Sequence, residues 1–129
     1  MSDKTSHVFE GAGTSLATTY SSGVSATSSG FSCEPYERIN VYLTVSTITS
    51  NGIAALYCEF SDDGTTFYRP QCFTAAAPTE NIDFGYTKID EAISYYCSFD
   101  TAGKFFRLRM VYVSGTSIVV SSVIVEGKS

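Results

Sequence analysis

A chain of 129 residues is long enough to bury one core and too short for two ordinary domains. Its formal charge of −5, with only eight lysines and arginines, argues against a broad phosphate-neutralising surface and hence against a nucleic-acid partner. Ser, Thr, Val, Ile, Tyr and Phe dominate and Trp is absent, a composition that favours strands over helices and predicts an all-β protein.

Residues 1–13 are polar and small, without a hydrophobic period, and read as an extended N-terminal arm preceding a domain over 14–129. The arm has one lysine and no apolar stretch of the kind a signal peptide needs, so the chain is expected in a reducing cytosol. From Thr14 to Gly30 single apolar residues, Leu16, Tyr20 and Val24, punctuate a Ser/Thr-rich stretch that predicts one or two edge strands joined at Gly23. A flexible linker is the competing reading of that stretch.

The clearest strand follows in "RINVYLTVSTI", where Ile39, Val41, Leu43 and Val45 alternate with polar neighbours and Tyr42. An Asn51-Gly52 turn leads into "IAALYCEF", whose inward set is predicted to be Ala54, Leu56, Cys58 and Phe60. After "SDDGTT", a third strand over "FYRPQCF" is demoted to an edge or a bulge by Pro70, which cannot donate to a ladder. The segment 74–103 reads as a long loop and one or two strands, with a helical turn at "KIDEAI" as the alternative. "KFFRLRMVYV", a turn at Ser114-Gly115 and "SIVVSSVIVEG" predict a closing hairpin. Together these elements predict a single antiparallel β-sandwich, jelly-roll-like or immunoglobulin-like in topology.

The chemistry-bearing residues are few. The four cysteines, Cys33, Cys58, Cys72 and Cys97, contain no Cys-x-x-Cys pair, and the one histidine, His7, lies in the arm, so neither zinc nor any other cofactor is expected. The cysteines read as small buried apolar residues. Asp62, Asp63, Glu80, Asp83, Asp90 and Glu91 offer nominal carboxylate pairs, but no histidine inside the domain can serve a Ser or Cys nucleophile, and a non-enzymatic role is expected. The apolar run from Ser117 to Val125 is too short for the roughly 20 residues of a membrane-spanning helix, so no membrane partner is expected.

Asp62, Asp63 and Gly64 carry a strong hairpin-turn signal, because Asp and Gly accept the left-handed geometry such a turn demands. An EF-hand is excluded, since Thr65, Thr66 and aromatics follow where oxygen ligands should recur. A looser calcium site that borrows ligands from a neighbouring loop is the alternative. The stretch also resembles the Asp-box hairpin of sialidases, with Phe67 in place of the tryptophan and one residue fewer before Gly64; that resemblance implies a turn and no activity.

The longer pattern resembles small β-sandwich virion proteins of tailed bacteriophages, which pair a Ser-x-Asp-Gly-x-x-Trp/Phe-Tyr hairpin with a downstream Gly-Lys-Tyr/Phe-x-Arg-x-Arg strand. The matches are Ser61, Asp63, Gly64, Phe67 and Tyr68, then Gly103, Lys104, Phe105, Arg107 and Arg109. The resemblance implies a capsid decoration or stabilising protein, made in the host cytoplasm, that binds the major capsid protein or other virion subunits and forms a homo-oligomer. A tail, neck or head-tail connection protein is its nearest variant, and a carbohydrate-binding, receptor-contacting module is the alternative from a different class. The candidate partner-binding residues are Ser2, Asp3, Lys4, His7 and Phe9 in the arm, and Arg107 and Arg109, which share one strand face.

Overall fold

A computed structural model describes residues 6–68 and 86–129. Two five-stranded antiparallel sheets pack face to face. The elements in chain order are β1 (Ser6–Val8), α1 (Glu10–Leu16), β2 (Thr19–Ser21), β3 (Ser25–Thr27), β4 (Phe31–Ser32), β5 (Arg38–Thr49), β6 (Ile53–Ser61), β7 (Tyr86–Ile89), β8 (Ser94–Asp100), β9 (Phe105–Ser114) and β10 (Ser117–Lys128). The first sheet runs β1-β10-β5-β8 with β2 also on β10; the second runs β3-β9-β6-β7 with β4 also on β9. Among the described residues no helix is long and apolar enough to cross a membrane.

Alternation sets the core. Ile39, Val41, Leu43 and Val45 of the first sheet face Ala54, Leu56, Cys58, Phe60, Phe106, Leu108 and Met110 of the second, all buried. In β10 the inward positions change parity, from Ile118 and Val120 to Val125. The pairing with β5 shifts register between Val120 and Ser122, so a bulge at Ser121 turns the strand's apolar side back toward the core.

The closing hairpin expected at Ser114-Gly115 does not form, and the turn after Thr49 does not close a hairpin either. Each turn carries the chain from one sheet to the other, since β5 and β10 belong to the first sheet and β6 and β9 to the second. Both turns are present, the first one residue earlier than the expected Asn51-Gly52 pair: Ser50 and Asn51 have φ of 47° and 58°, and Gly115 has φ of 84°. A turn specifies reversal, however, and not which sheet the returning strand joins. Length decides that here, because twelve-residue β5 matches twelve-residue β10 along almost its whole length, while β6 pairs with β9 from Ile53 to Ser61. The two crossings are tied together where the Thr116 N–H donates to the carbonyls of Thr49 and Ser50.

The expectation of an extended arm over 1–13 is also corrected within the described residues. Ser6–Val8 pairs with the end of β10, and the Phe9 N–H donates to Val125 O at 2.8 Å. Phe9, Ala12 and Leu16 have helical spacing, and all three are buried. Gly11, Gly13, Thr14 and Ser15 are poor helix formers and hide that spacing in the sequence. Helix α1 touches β10 of the first sheet and β9 and β3 of the second, closing one side of the sandwich. Its end is held where Tyr20, fully buried, donates its hydroxyl to Leu16 O at 2.6 Å.

Beyond α1, β2 and β3 are the two predicted edge strands joined at Gly23, φ 82°, each on a different sheet. Ser28 continues the second edge: its N–H donates to Leu108 O and its hydroxyl accepts from the Leu108 N–H. Of the predicted third strand only Phe67 and Tyr68 fall in the described region, and Tyr68 exchanges both backbone hydrogen bonds with Phe60. The rest of that strand, with Cys72, Glu80 and Asp83, lies outside the described residues. The "KIDEAI" stretch forms the end of β7 and a turn rather than a helix, because the Tyr95 hydroxyl accepts from the Asp90 and Glu91 N–H groups and fixes the reversal.

Candidate functional site

The hairpin after β6 is built around two side chains that bond each other and the loop backbone. Asp63 Oδ1 accepts from the N–H groups of Thr65 at 2.8 Å and Thr66 at 2.9 Å, and from Ser61 Oγ at 2.9 Å. Ser61 Oγ in turn accepts from the N–H groups of Asp63 and Gly64. The Thr66 and Thr65 amides, followed by the Ser61 hydroxyl, hold the Asp63 carboxyl below the ordinary carboxylate range. Gly64 sits at φ 77° against the ring of Phe105. Asp62 is exposed beside it, at the mouth of a shallow cleft of about 420 Å³ that Phe60, Tyr68, Ala102 and Gly103 also line.

This geometry makes Asp63 the organiser of a turn, with one oxygen already committed to three donors. Among the described residues no three His, Cys, Asp or Glu side chains are grouped to hold a metal ion. The second matched segment meets the first here: the Lys104 N–H donates to Ser61 O at 3.0 Å, and Phe105 pairs with Ser61 across β9 and β6. The two stretches that carry the phage-protein resemblance are therefore one structural unit.

Downstream on β9 the period of two sends Phe106, Leu108 and Met110 into the core and leaves Arg107 and Arg109 on the outer face of the second sheet. Register places Glu59 of β6 directly across from Arg107 and Tyr57 across from Arg109. Arg107 Nε donates to Glu59 Oε1 at 2.7 Å, and Arg109 approaches Glu59 Oε2 at 3.9 Å. The Arg107 guanidinium also lies over the Phe67 ring, 4.7 Å from its centre. Glu59 is only 4 % exposed, whereas each arginine side chain keeps about a third of its surface open. Among the described residues two guanidinia thus share one buried carboxylate, in a chain whose net charge is −5.

The other candidate residues are scattered. Ser2, Asp3 and Lys4 lie outside the described residues. His7 is exposed on β1, edge-on to Phe9 at 4.7 Å and stacked over Tyr36 at 6.4 Å. Phe9 is corrected from a partner-binding residue to a core residue, 6 % exposed, with its ring 4.9 Å from that of Phe106. Cys33, Cys58 and Cys97 are free and buried. Burial, then the Glu34 charge, pushes the Cys33 thiol up to about 11; burial raises Cys58 and Cys97 as well. Asp90 and Glu91 occupy the turn after β7, where Asp90 pairs with Lys88 at 3.6 Å.

Sequence reasoning missed Glu59. It stands at an outward position of β6 like any surface carboxylate, and only the β6–β9 register reveals that it faces Arg107. No protein-family model matches the sequence, and no curated protein matches it at a significant level.

Proposed function

We propose that this chain is a non-enzymatic virion structural protein, a capsid decoration or stabilising protein, that docks on an acidic surface of the major capsid protein through the outer face of its second sheet. The observation that carries this reading is the Glu59–Arg107–Arg109 cluster. Arg107 is held by a short ion pair and by Phe67, while among the described residues Arg109 approaches Glu59 only at 3.9 Å. A guanidinium fixed in place and about a third open to solvent is well suited to a carboxylate on a neighbouring subunit, because its planar fork loses little freedom on pairing. The short hairpin and the matched β9 segment brace that face from one end. Repetition over a lattice adds avidity when the chain self-associates, by raising the effective concentration after the first contact.

The test is re-binding to particles of the encoding phage that lack the chain. Wild type should bind, with affinity falling as salt rises, and Arg109→Gln should bind about three- to tenfold more weakly at low salt. Arg109 is the informative position, since its removal leaves the short Arg107–Glu59 pair in place. Failure of wild type to bind such particles, or equal binding of both proteins at every salt concentration, contradicts the reading.

A further inference from the structure

The outer face of the first sheet is built differently from that of the second. Cross-strand register arranges its side chains in rows that run across β10, β5 and β8. One row is Ile124, Tyr42 and Tyr96; the next is Ser122, Thr44 and Ser94; on the other side lie Glu126, Asn40 and Ser98. In the first row the side chains are apolar or aromatic and open, with Ile124 50 %, Tyr42 41 % and Tyr96 60 % exposed. The two tyrosine rings are 5.1 Å apart at 37°. Tyr42, Thr44, Ser94, Tyr96, Ser122 and Ile124 border a shallow depression of about 310 Å³.

The flanking rows are polar and ordered. Asn40, 4 % exposed, accepts through Oδ1 from the Tyr96 hydroxyl at 3.2 Å and from Ser98 Oγ at 2.7 Å, which fixes the Tyr96 ring. Arg38 Nε donates to Ser98 Oγ at 2.8 Å, and its guanidinium pairs with Asp100 at 3.4 Å. Thr44 and Ser94 bring their hydroxyls within 3.3 Å of each other. The face therefore presents an aromatic strip about 10 Å wide across three strands, with hydroxyl and amide rows about 7 Å to either side.

We propose that this face binds a neutral oligosaccharide laid along the Ile124–Tyr42–Tyr96 row. A pyranose ring has one face of C–H groups and a rim of hydroxyls. Here the C–H face meets the tyrosine rings and the rim reaches Thr44, Ser94 and Ser122 on one side and Ser98 on the other. The ligand is neutral because Arg38 already pairs with Asp100, Lys128 across from Arg38 lies two rows beyond the tyrosines, and Glu126, one row nearer, would repel an acidic sugar. The Asn40 bonds hold Tyr96 in place before binding, which reduces the ordering cost that binding would otherwise carry. This proposal does not depend on shell docking, which uses the other sheet.

The experiment titrates the full chain with neutral tetrasaccharides of glucose, galactose and N-acetylglucosamine, reading tyrosine fluorescence and amide chemical shifts. At least one should bind, with shifts centred on β5 and β8. Tyr96→Ala and Tyr42→Ala should each weaken binding by about tenfold or more, with circular dichroism unchanged because both rings lie outside the core. Tyr96→Phe, which keeps the ring and loses the Asn40 bond, should weaken it less than Tyr96→Ala. Arg109→Gln should bind the saccharide like wild type, and Tyr96→Ala should bind particles like wild type, so the two faces fail or succeed separately. The proposal is overturned if none of the three tetrasaccharides binds at millimolar concentration to the folded chain, or if binding is indifferent to both alanine variants. It is equally overturned if Tyr96→Ala abolishes self-association or particle binding while no saccharide binds, since the row is then a protein interface.

Discussion

At the residue scale the two aspartates of the hairpin, alike in sequence, have different roles. Asp63 accepts three hydrogen bonds and its carboxyl is held below the ordinary range by the Thr66 and Thr65 amides and the Ser61 hydroxyl; Asp62 is an exposed neighbour. A carboxyl whose folded value is depressed contributes stability that is present above its unfolded value and lost as pH falls through the folded one. Melting temperature followed from about pH 6 to about pH 2 should therefore fall, and Asp63→Asn should flatten the acid limb of that curve where Asp62→Asn does not. Gly64→Val should cost about 1 kcal/mol or more in denaturant unfolding, because a β-branched residue is strained at φ 77°. The turn was legible in the sequence, since Asp-Gly between two strand patterns is a local signal. The unequal roles of Asp62 and Asp63 were not, since hydrogen bonding distinguishes them only once the loop is closed.

Glu59 is the opposite case. A carboxylate this buried is tolerable because Arg107 lies across from it at 2.7 Å. Arg107→Ala would leave that charge without its closest partner and should destabilise the protein by about 1–3 kcal/mol, toward the low end because the arginine is itself a third exposed. Denaturant midpoints of Arg107→Ala, Glu59→Gln and the double variant measure the coupling, and the double should cost less than the sum.

At the scale of elements, periodicity carried the strands and failed at the ends. The alternation of β5, β6 and β9 placed their inward residues correctly because each strand keeps one face on the core for most of its length. The Ser114-Gly115 connection was misread as a hairpin, since sheet membership is set by long-range pairing. Helix α1 was missed because its three apolar contacts, Phe9, Ala12 and Leu16, are diluted by glycines and hydroxyl residues. Those glycines are not equivalent. A Cβ on Gly13 would come within 2.2 Å of Val123 O, whereas one on Gly11 would meet only the edge of the Phe31 ring at 3.2 Å. Alanine favours a helix by up to about 1 kcal/mol over glycine, so Gly11→Ala should be neutral or mildly stabilising. Gly13→Ala should destabilise by about 1–3 kcal/mol, because the helix must lift from β10. Thermal melts of the two variants should move apart. Deleting residues 1–13 removes β1, Phe9 and Ala12, and should lower the melting temperature instead of leaving the sandwich untouched.

For the molecule as a whole, the three described cysteines lie in the core, with thiols raised by burial, so they report on global unfolding. In native protein they should react slowly with a disulfide reagent at neutral pH, and should become reactive together across the denaturation transition. In a Cys72→Ser background, which leaves only these three, a thiol that reacts rapidly in the native state would show that one side of the sandwich opens on its own. The proposed function makes the same body a clamp: one outer face, through Arg107 and Arg109, holds a shell, and the opposite face presents tyrosines outward. A clamp that binds only the assembled shell stabilises that state by mass action. For the proposed function the most direct measurement is the temperature at which the virus particles it assigns the chain to release their DNA, with and without the chain. Particles lacking it should rupture at lower temperature and regain wild-type robustness when purified chain is added back, with Arg109→Gln restoring less; particles equally robust without the chain would contradict the account.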